Sequence, residues 1–494
     1  MSETQPLELD PGTPEIDLAQ VSKRSVSGVL SLTSRTLLVQ VTTFLATLAL
    51  TVFLSPEIYG IFFLVSSVVN FLTYFSDIGL AAALIQKKSK VIKEDLSTTF
   101  TVQQILVVSL LVILKIATPS IRSFYSISPE GIYLLYALGI SFFLSSLKTI
   151  PSILLERSLQ FNKLIIPQIA ETLVFNFVAV FMAWKGYGIT SFTVAVLARG
   201  VTGLVLMYLV SPWHPSVAIK RDSLKTLLKF GLPYQANTFI AVLKDDGMTI
   251  LLGKLIGPVG LGYIGWASRW ANMPLRIFMD NVSKVAFPAF SRLQDNKERL
   301  KRAVEINIKY LSLAVFPIFV AMGFLARPLV EVIPKYTKWL PALIPLYLYL
   351  YNAGWATVST SLTNALNAVG KIKVTFKLMI MWATLTWAIM PVLAVKYGFV
   401  GVSYAAGLIA TSSLVAILAA KKHINFSLVA SLKSPIIASL GLAIYLNLVR
   451  SLTSSVTQIT FISLGGALIF TSLVLLIEGK SFIKKTIKLF ALRK

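Results

Sequence analysis

About fourteen apolar stretches of membrane-spanning length, separated by short polar joints, constrain this chain more than any other feature. They run at about 28–54, 58–85, 97–118, 131–155, 164–184, 188–210, 228–253, 259–286, 305–326, 339–364, 376–395, 398–420, 434–449 and 455–477. A helix needs about 20 apolar residues to cross a bilayer, and only helices and closed barrels satisfy their backbone groups inside hydrocarbon. Fourteen crossings use about 280 residues, and the remainder of the 494 makes short loops and two tails. Composition agrees, with 55% hydrophobic and only 14% charged residues against roughly 25% charged in a soluble domain. The expected fold is an all-α polytopic membrane protein. A soluble enzyme, a disordered scaffold and a secreted disulfide framework are excluded.

The chemistry open to the chain is narrow. There is no Cys, which removes thiol catalysis, Cys-type zinc sites and iron–sulfur clusters. His214 and His423 are the only histidines, too few for a His-rich metal centre. No phosphate-binding loop of the form G-x-x-x-x-G-K-[ST] occurs, so ATP hydrolysis by this chain is not expected. The loops are too short for a catalytic domain. The expectation is a non-enzyme without metal or cofactor.

The net charge of +25 would suggest nucleic acid in a soluble chain, so its placement decides. With the N-terminus inside, 29 of the 46 Lys and Arg residues fall in cytoplasmic segments and 8 in outer ones. The largest inner groups are Arg292 to Arg302 and Lys480 to Lys494. This asymmetry places both termini in the cytoplasm of a multi-pass cell-membrane protein, suits anionic lipid headgroups and removes the case for nucleic acid. Residues 1–27, with Glu3, Glu8, Asp10, Glu15 and Asp17, read as a disordered cytoplasmic tail and not as a signal peptide, because no basic leader precedes a short apolar stretch.

A weak internal repeat organises the rest. Leu54-Ser-Pro-Glu-Ile-Tyr-Gly60 opens the second span and Ile256-Gly-Pro-Val-Gly-Leu-Gly262 the eighth; Tyr187-Gly188 leads into the sixth and Tyr397-Gly398 into the twelfth. An even spacing of six spans keeps both copies in one orientation, so the halves are expected to be related by a pseudo-twofold axis along the membrane normal. The expected domains are a six-helix lobe over 28–210, a cytoplasmic linker over 211–227, a second six-helix lobe over 228–420, two additional helices over 421–477 and a basic cytoplasmic tail over 478–494.

Charges inside the spans carry the functional signal, because each costs about 2.5–3.5 kcal/mol at the centre of a membrane helix. The basic ones are Arg35, Lys115, Lys148, Arg199, Lys244, Arg269, Arg276, Lys284 and Lys309, and the acidic ones Asp77, Glu171, Asp245, Asp246 and Asp280. The basic excess suggests a cavity that attracts anions. At about 100° per residue, Arg269, Asn272, Arg276, Asp280 and Lys284 share one stripe, about 22 Å long at 1.5 Å per residue. An internal ladder Arg276–Asp280–Lys284 would account for part of it, and snorkelling for Lys284. Arg269 lacks an acidic neighbour on its stripe and is the better ligand candidate. Arg35 lies two turns into the first span, as a ligand or as an interfacial arginine. Asp77-x-Gly79 reads as a helix-end device or an inter-helix hydrogen bond. Lys244-Asp245-Asp246 reads as a local ion pair or a cation site. Asp77, Asp245, Asp246 and Asp280 are therefore candidate ion-coupling groups, whereas Lys115, Lys148, Arg199, Glu171 and Lys309 lie nearer helix ends or have no partner legible in the sequence.

Several stretches resemble one family. Leu54-Ser-Pro-Glu-Ile-Tyr-Gly60, Phe75-Ser-Asp-Ile-Gly79, Ala83-Leu-Ile-Gln86, Leu154-Leu-Glu-Arg-Ser-Leu-Gln-Phe161, Ile256-Gly-Pro-Val-Gly-Leu-Gly-Tyr263, Ala267-Ser-Arg-Trp270 and Phe287-Pro-Ala-Phe-Ser-Arg-Leu-Gln294 are similar to the polysaccharide transporters. These are the oligosaccharide-repeat-unit flippases of the multidrug/oligosaccharidyl-lipid/polysaccharide exporter superfamily. The resemblance is dispersed over about 28–420. It implies a two-lobed transporter that moves a polyprenyl-pyrophosphate-linked oligosaccharide from the inner to the outer leaflet by alternating access, for cell-surface polysaccharide such as exopolysaccharide or lipopolysaccharide. Cationic cavity residues bind the cargo in that family, and Arg35 and Arg269 match such positions. The acidic residue usual on the seventh helix lies closer to the following glycine than Asp246 lies to Gly253, so no role passes by resemblance to Asp245 or Asp246. Membrane lipids, a polysaccharide polymerase and glycosyltransferases are the expected partners. The alternative on the same fold is a multidrug or other small-solute, ion-coupled antiporter. A scaffold without transport would leave the buried charges unexplained.

Overall fold

A computed structural model describes residues 39–87, 89 and 91–479, apart from the side chains of residues 236 and 237. Arg35, the acidic tail, Lys88, Lys90 and residues 480–494 lie outside the described residues. Within them the regular elements are helical and no strand occurs. In chain order they are α1 (Val39–Phe53), α2 (Pro56–Thr73), α3 (Leu80–Gln86), α4 (Lys93–Tyr125), α5 (Pro129–Leu147), α6 (Thr149–Arg157), α7 (Phe161–Trp184), α8 (Thr190–Val210), α9 (Arg221–Val242), α10 (Met248–Arg292), α11 (Lys297–Val332), α12 (Leu343–Ala368), α13 (Ile372–Thr411), α14 (Ser413–Lys421), α15 (Leu428–Leu448) and α16 (Val456–Glu478). A π-helical turn, Leu243–Gly247, joins α9 to α10, and a 3-10 turn, Thr337–Ala342, precedes α12. Serine caps and proline write several starts: Ser55 and Ser128 accept from the backbone N–H three residues on, each followed by Pro at the first helical position, where its missing N–H costs nothing.

Ten helices are long and apolar enough to cross a membrane by length and composition, against about fourteen expected. Two of the ten, Thr238–Arg292 and Ile372–Lys421, each contain two of the expected spans. Their breaks are glycines with positive φ, Gly257 (φ 68°) and Gly398 (φ 61°), a region open to Gly at no steric cost. The chain turns there without the long polar loop that marks a span boundary in sequence. Only the part of the first span from Val39 is described. The tenth is α12, whose interior carries Asn352, Thr357, Ser359, Ser361, Thr363, Asn364 and Asn367 and so falls short in apolarity.

The chain forms two compact units, divided between Leu261 and Gly262. In the first, Leu80, Leu84, Phe100, Ile150, Trp213 and Leu227 gather into one cluster at the ends of α3, α4, α6 and α9. The segment 211–220 lies along α4, where the backbone N–H groups of Ala218 and Lys220 donate to Thr101 and Thr98 at 3.1 and 3.0 Å. Asp95, 1% exposed, pairs with Lys87 at 2.5 Å, and the Arg157 guanidinium donates to the Leu84 and Lys87 carbonyls at 2.7 and 2.9 Å, closing the C-terminal end of α3. Gly231 of α9 lies directly against Gly79: a Cβ on Gly231 would meet the Gly79 carbonyl at 2.9 Å, so two backbones touch where no side chain fits.

In the second unit, Phe290, Leu300, Ile308, Leu362, Ile417 and Phe426 form one cluster. A second holds α15 and α16 on α11, through Leu325, Ala438, Leu442, Leu446, Ile459 and Phe470. Polar ties add register: Glu305 accepts from the Ser427 N–H at 2.7 Å, and Lys309 pairs with Glu478 at 2.5 Å. Trp266 stacks on the fully buried Trp339 at 5.3 Å and donates to the Tyr336 hydroxyl at 3.2 Å.

The Lys309–Glu478 pair is largely shielded, at 22% and 18% exposure, so removing one partner strands the other. Glu478→Gln is expected to destabilise the protein by about 1.5–3 kcal/mol, read as a lower midpoint of thermal unfolding in detergent. The double variant with Lys309→Met is expected to recover part of the loss.

Candidate functional site

The second unit carries the predicted stripe. On α10, Ala267, Ala271 and Leu275 are buried, while Arg269, Arg276, Asp280 and Lys284 are exposed, as a rotation of about 100° per residue requires. The internal ladder does not form: among the described residues Arg276, Asp280 and Lys284 take part in no ion pair. Asn272 donates to the Ser268 carbonyl at 2.9 Å and to its hydroxyl at 3.3 Å, which turns its amide along the helix. One residue before the end of the stripe, Asn364 of α12 donates to Ser283 at 2.9 Å and holds α10 in rotation. Exposing this many charges to acyl chains would cost about 2.5–3.5 kcal/mol for each central one, so the chemistry of the stripe is that of a wetted or ligand-facing surface.

The acidic candidates divide by surroundings. The Asp77 carboxylate accepts from the N–H groups of Gly79 and Ala81 at 2.9 and 3.3 Å, which caps the start of α3. Asp245 is exposed and pairs with Lys244. Asp246, on the π-helical turn, lies beside Ser67 and Asn70 of α2. A π turn inserts one residue into the helical ladder and recurs at functional sites; here it falls on the Leu-Lys-Asp-Asp-Gly run. Period-3.6 reasoning misses it, and the one signal was a charged, glycine-ended run inside an apolar span. No group of three or more His, Cys, Asp or Glu residues able to hold a metal occurs among the described residues.

Partners illegible in sequence appear for other charges within the spans. Glu171 of α7 pairs with Lys148 at the end of α5 and lies 3.6 Å from the Arg199 Nε of α8. Lys115 sits 4.8 Å from the Tyr136 ring centroid, a cation–π contact. These groups are separated by 23 residues or more in the ion-paired set, beyond the reach of any helix-face rule.

Residues 49–343, more than half of the chain, match the family described as polysaccharide biosynthesis protein. The chain belongs to that family. Succinoglycan biosynthesis transport protein ExoT of Rhizobium meliloti (strain 1021) is 23% identical over 345 residues, covering 70% of this chain and 68% of the relative. Teichuronic acid biosynthesis protein TuaB of Bacillus subtilis (strain 168) is 26% identical over 272 residues, covering 54% and 55%. Among solved structures, the lipid II flippase MurJ in an inward closed conformation superposes with a TM-score of 0.68 at 17% identity, covering 91% of this chain and all of that one. An inward-facing multidrug resistance MATE family transporter gives 0.60 at 15% identity, covering 76% and 94%. The fold is that of these transporters, and the protein is a multi-pass membrane protein.

One titration is testable outside the spans. Burial, with the Lys335 charge adding to it, pushes Lys338 in the 3-10 turn down to about 8. At pH 8 about half of such an amine is neutral, against about one in 250 for an ordinary lysine at about 10.4. Amine-directed labelling followed by peptide mass spectrometry is expected to show Lys338 modification rising through a midpoint near pH 8.

Proposed function

We propose that this protein is a flippase that moves an anionic polyprenyl-pyrophosphate-linked oligosaccharide from the inner to the outer leaflet of the cell membrane by alternating access, for assembly of a cell-surface polysaccharide. The observation that carries this reading is the exposed stripe on α10, where Arg269 and Arg276 lie on one face and Arg276 has no neutralising carboxylate among the described residues. A pyrophosphate cannot enter hydrocarbon unaided, and a guanidinium fork matches its oxygens in pairs, as an ammonium does not. Arg35 joins this set as a further cationic group, and Asn272 as a neighbour on the stripe for sugar oxygens. The family membership supports a polysaccharide precursor as cargo, and the relatives' names support transport over bond-making chemistry. The excess of Lys and Arg in alternate loops supports cytoplasmic termini, and the same inner surface suits anionic lipids and the recruitment of a polymerase or glycosyltransferases.

Asp246, set against Ser67 and Asn70, is the coupling acid in this reading, taking a proton or sodium ion; Asp77, Asp245 and Asp280 are its weaker rivals, since Asp77 and Asp245 already have partners. The same acid would serve the second reading, a small-solute antiporter. That reading calls for an acidic cavity if the cargo is a cationic drug, and the α10 stripe is basic.

Reconstituted vesicles separate the two. Wild-type protein is expected to translocate a fluorescent lipid-linked oligosaccharide, and Arg269→Ala and Arg276→Ala each to slow it by at least about tenfold, the loss of one charge-assisted hydrogen bond. Wild-type rates in both variants overturn the site, and drug efflux without lipid movement favours the antiporter. Asp246→Asn is expected to remove stimulation by an imposed proton or sodium gradient while exchange at zero gradient persists.

A further inference from the structure

The first unit holds a charged cluster that the α10 stripe does not use. Arg199 lies on α8 about 160° from Val201 at 100° per residue, on the side shared with Phe192 and Gly203. Val201 and Val205, exposed by 52% and 51%, lie about 160° and 120° away from Arg199. Glu171 is buried on α7, about 120° from the exposed Phe177. The Arg199 side chain is nonetheless 54% exposed. Its one ionic neighbour is Glu171, at 3.6 Å from Nε, beyond hydrogen-bond range. No hydrogen bond from Arg199 to a described residue forms, so its five donors are without acceptors among them. The other carboxylate oxygen of Glu171 is taken by Lys148. The carboxylate is seated over the α8 backbone, because any Cβ at Gly203 would collide with it.

We infer that Arg199 is a phosphate-receiving group of the first unit, with Glu171 as its resident, exchangeable counter-ion; this rests on the reading above that the cargo is a phosphorylated lipid. The cluster holds two cations and one carboxylate, a net charge of +1. In an isolated Arg–Glu pair, an incoming anion that claims the arginine strands a buried carboxylate, which is strongly unfavourable. Here Lys148 keeps Glu171 neutralised while the guanidinium turns to two phosphoryl oxygens, so the exchange leaves no orphaned charge. Between cargoes the loose contact at 3.6 Å keeps Arg199 oriented without satisfying its donors.

Binding to the full-length protein in detergent tests this with farnesyl pyrophosphate as probe and farnesol as the control for the tail. Arg199→Gln is expected to weaken farnesyl pyrophosphate binding by about tenfold and to leave farnesol unaffected. Glu171→Gln, which removes the competing anion, is expected to tighten it, and that gain is expected to vanish in the Glu171→Gln, Arg199→Gln double variant. A purely structural ion network would lower the unfolding midpoint in every variant and would not give opposite signs. Unchanged affinity in Arg199→Gln, equal or weaker affinity in Glu171→Gln, or a farnesol affinity that falls with Arg199 each overturns the inference. If Arg199→Gln does not fold, the Glu171→Gln result decides alone. Failure of wild-type protein to translocate lipid-linked oligosaccharide overturns the transport reading and leaves the comparison of probe affinities to judge Arg199.

Discussion

An ionised side chain in a layer of hydrocarbon persists only if a counter-ion, a set of backbone dipoles, an aromatic face or water takes the place of its lost hydration. Each of these solutions appears in this chain. Glu171 answers Lys148 and Arg199, and Lys309 answers Glu478. Asp77 is met by backbone N–H groups, and Lys115 by the Tyr136 ring. Arg276, Asp280 and Lys284 of α10 make none of the ion pairs that their spacing permits, and they stand exposed on the side away from the packed residues Ala267, Ala271 and Leu275. What separates a structural charge from a working one is therefore which of the four solutions it uses, and the working candidates are those left to water or ligand.

Local patterns survived translation from sequence, and remote ones did not. The α10 stripe needed only the helical period, and Asp77-x-Gly79 only the chemistry of a helix start, so both were legible. The Glu171 cluster was not, because α5, α7 and α8 contribute one charge each and no periodicity links them. The i,i+4 ladder open to α10 is the reverse case: spacing permits the contacts, yet Asp280 does not make them. Arginine and lysine side chains have several rotamers that leave such a pair unmade at little cost. The span count fell short for a backbone reason. At Gly257 and Gly398 the chain turns within one or two residues, so helix pairs that sequence separates by composition run on as single elements.

The two helices beyond residue 421 belong to the second unit. Their apolar seam with α11 is continuous through Leu325, Ala438, Leu442 and Ile459, and the Lys309–Glu478 and Glu305–Ser427 contacts fasten it at the end near the start of α11. The opposite faces, with Leu440, Ile444, Leu448, Phe461, Leu464 and Leu468 exposed, are apolar over most of their length and suit acyl chains.

The meeting of Gly79 and Gly231 has a mechanical consequence. Where two main chains touch, there is no side chain to shear or repack, so the lower part of α9 is obliged to travel with the start of α3 as one rigid piece. Tyr74 and Gln235 exchange hydrogen bonds just beyond it and lengthen that grip. Through Gln235 the helix is fastened; downstream it is weakened by the widened turn at 243–247. Any flexing of this span is thereby concentrated near Asp246, so the carboxylate rides on the part that swings while Ser67 and Asn70 stay with α2.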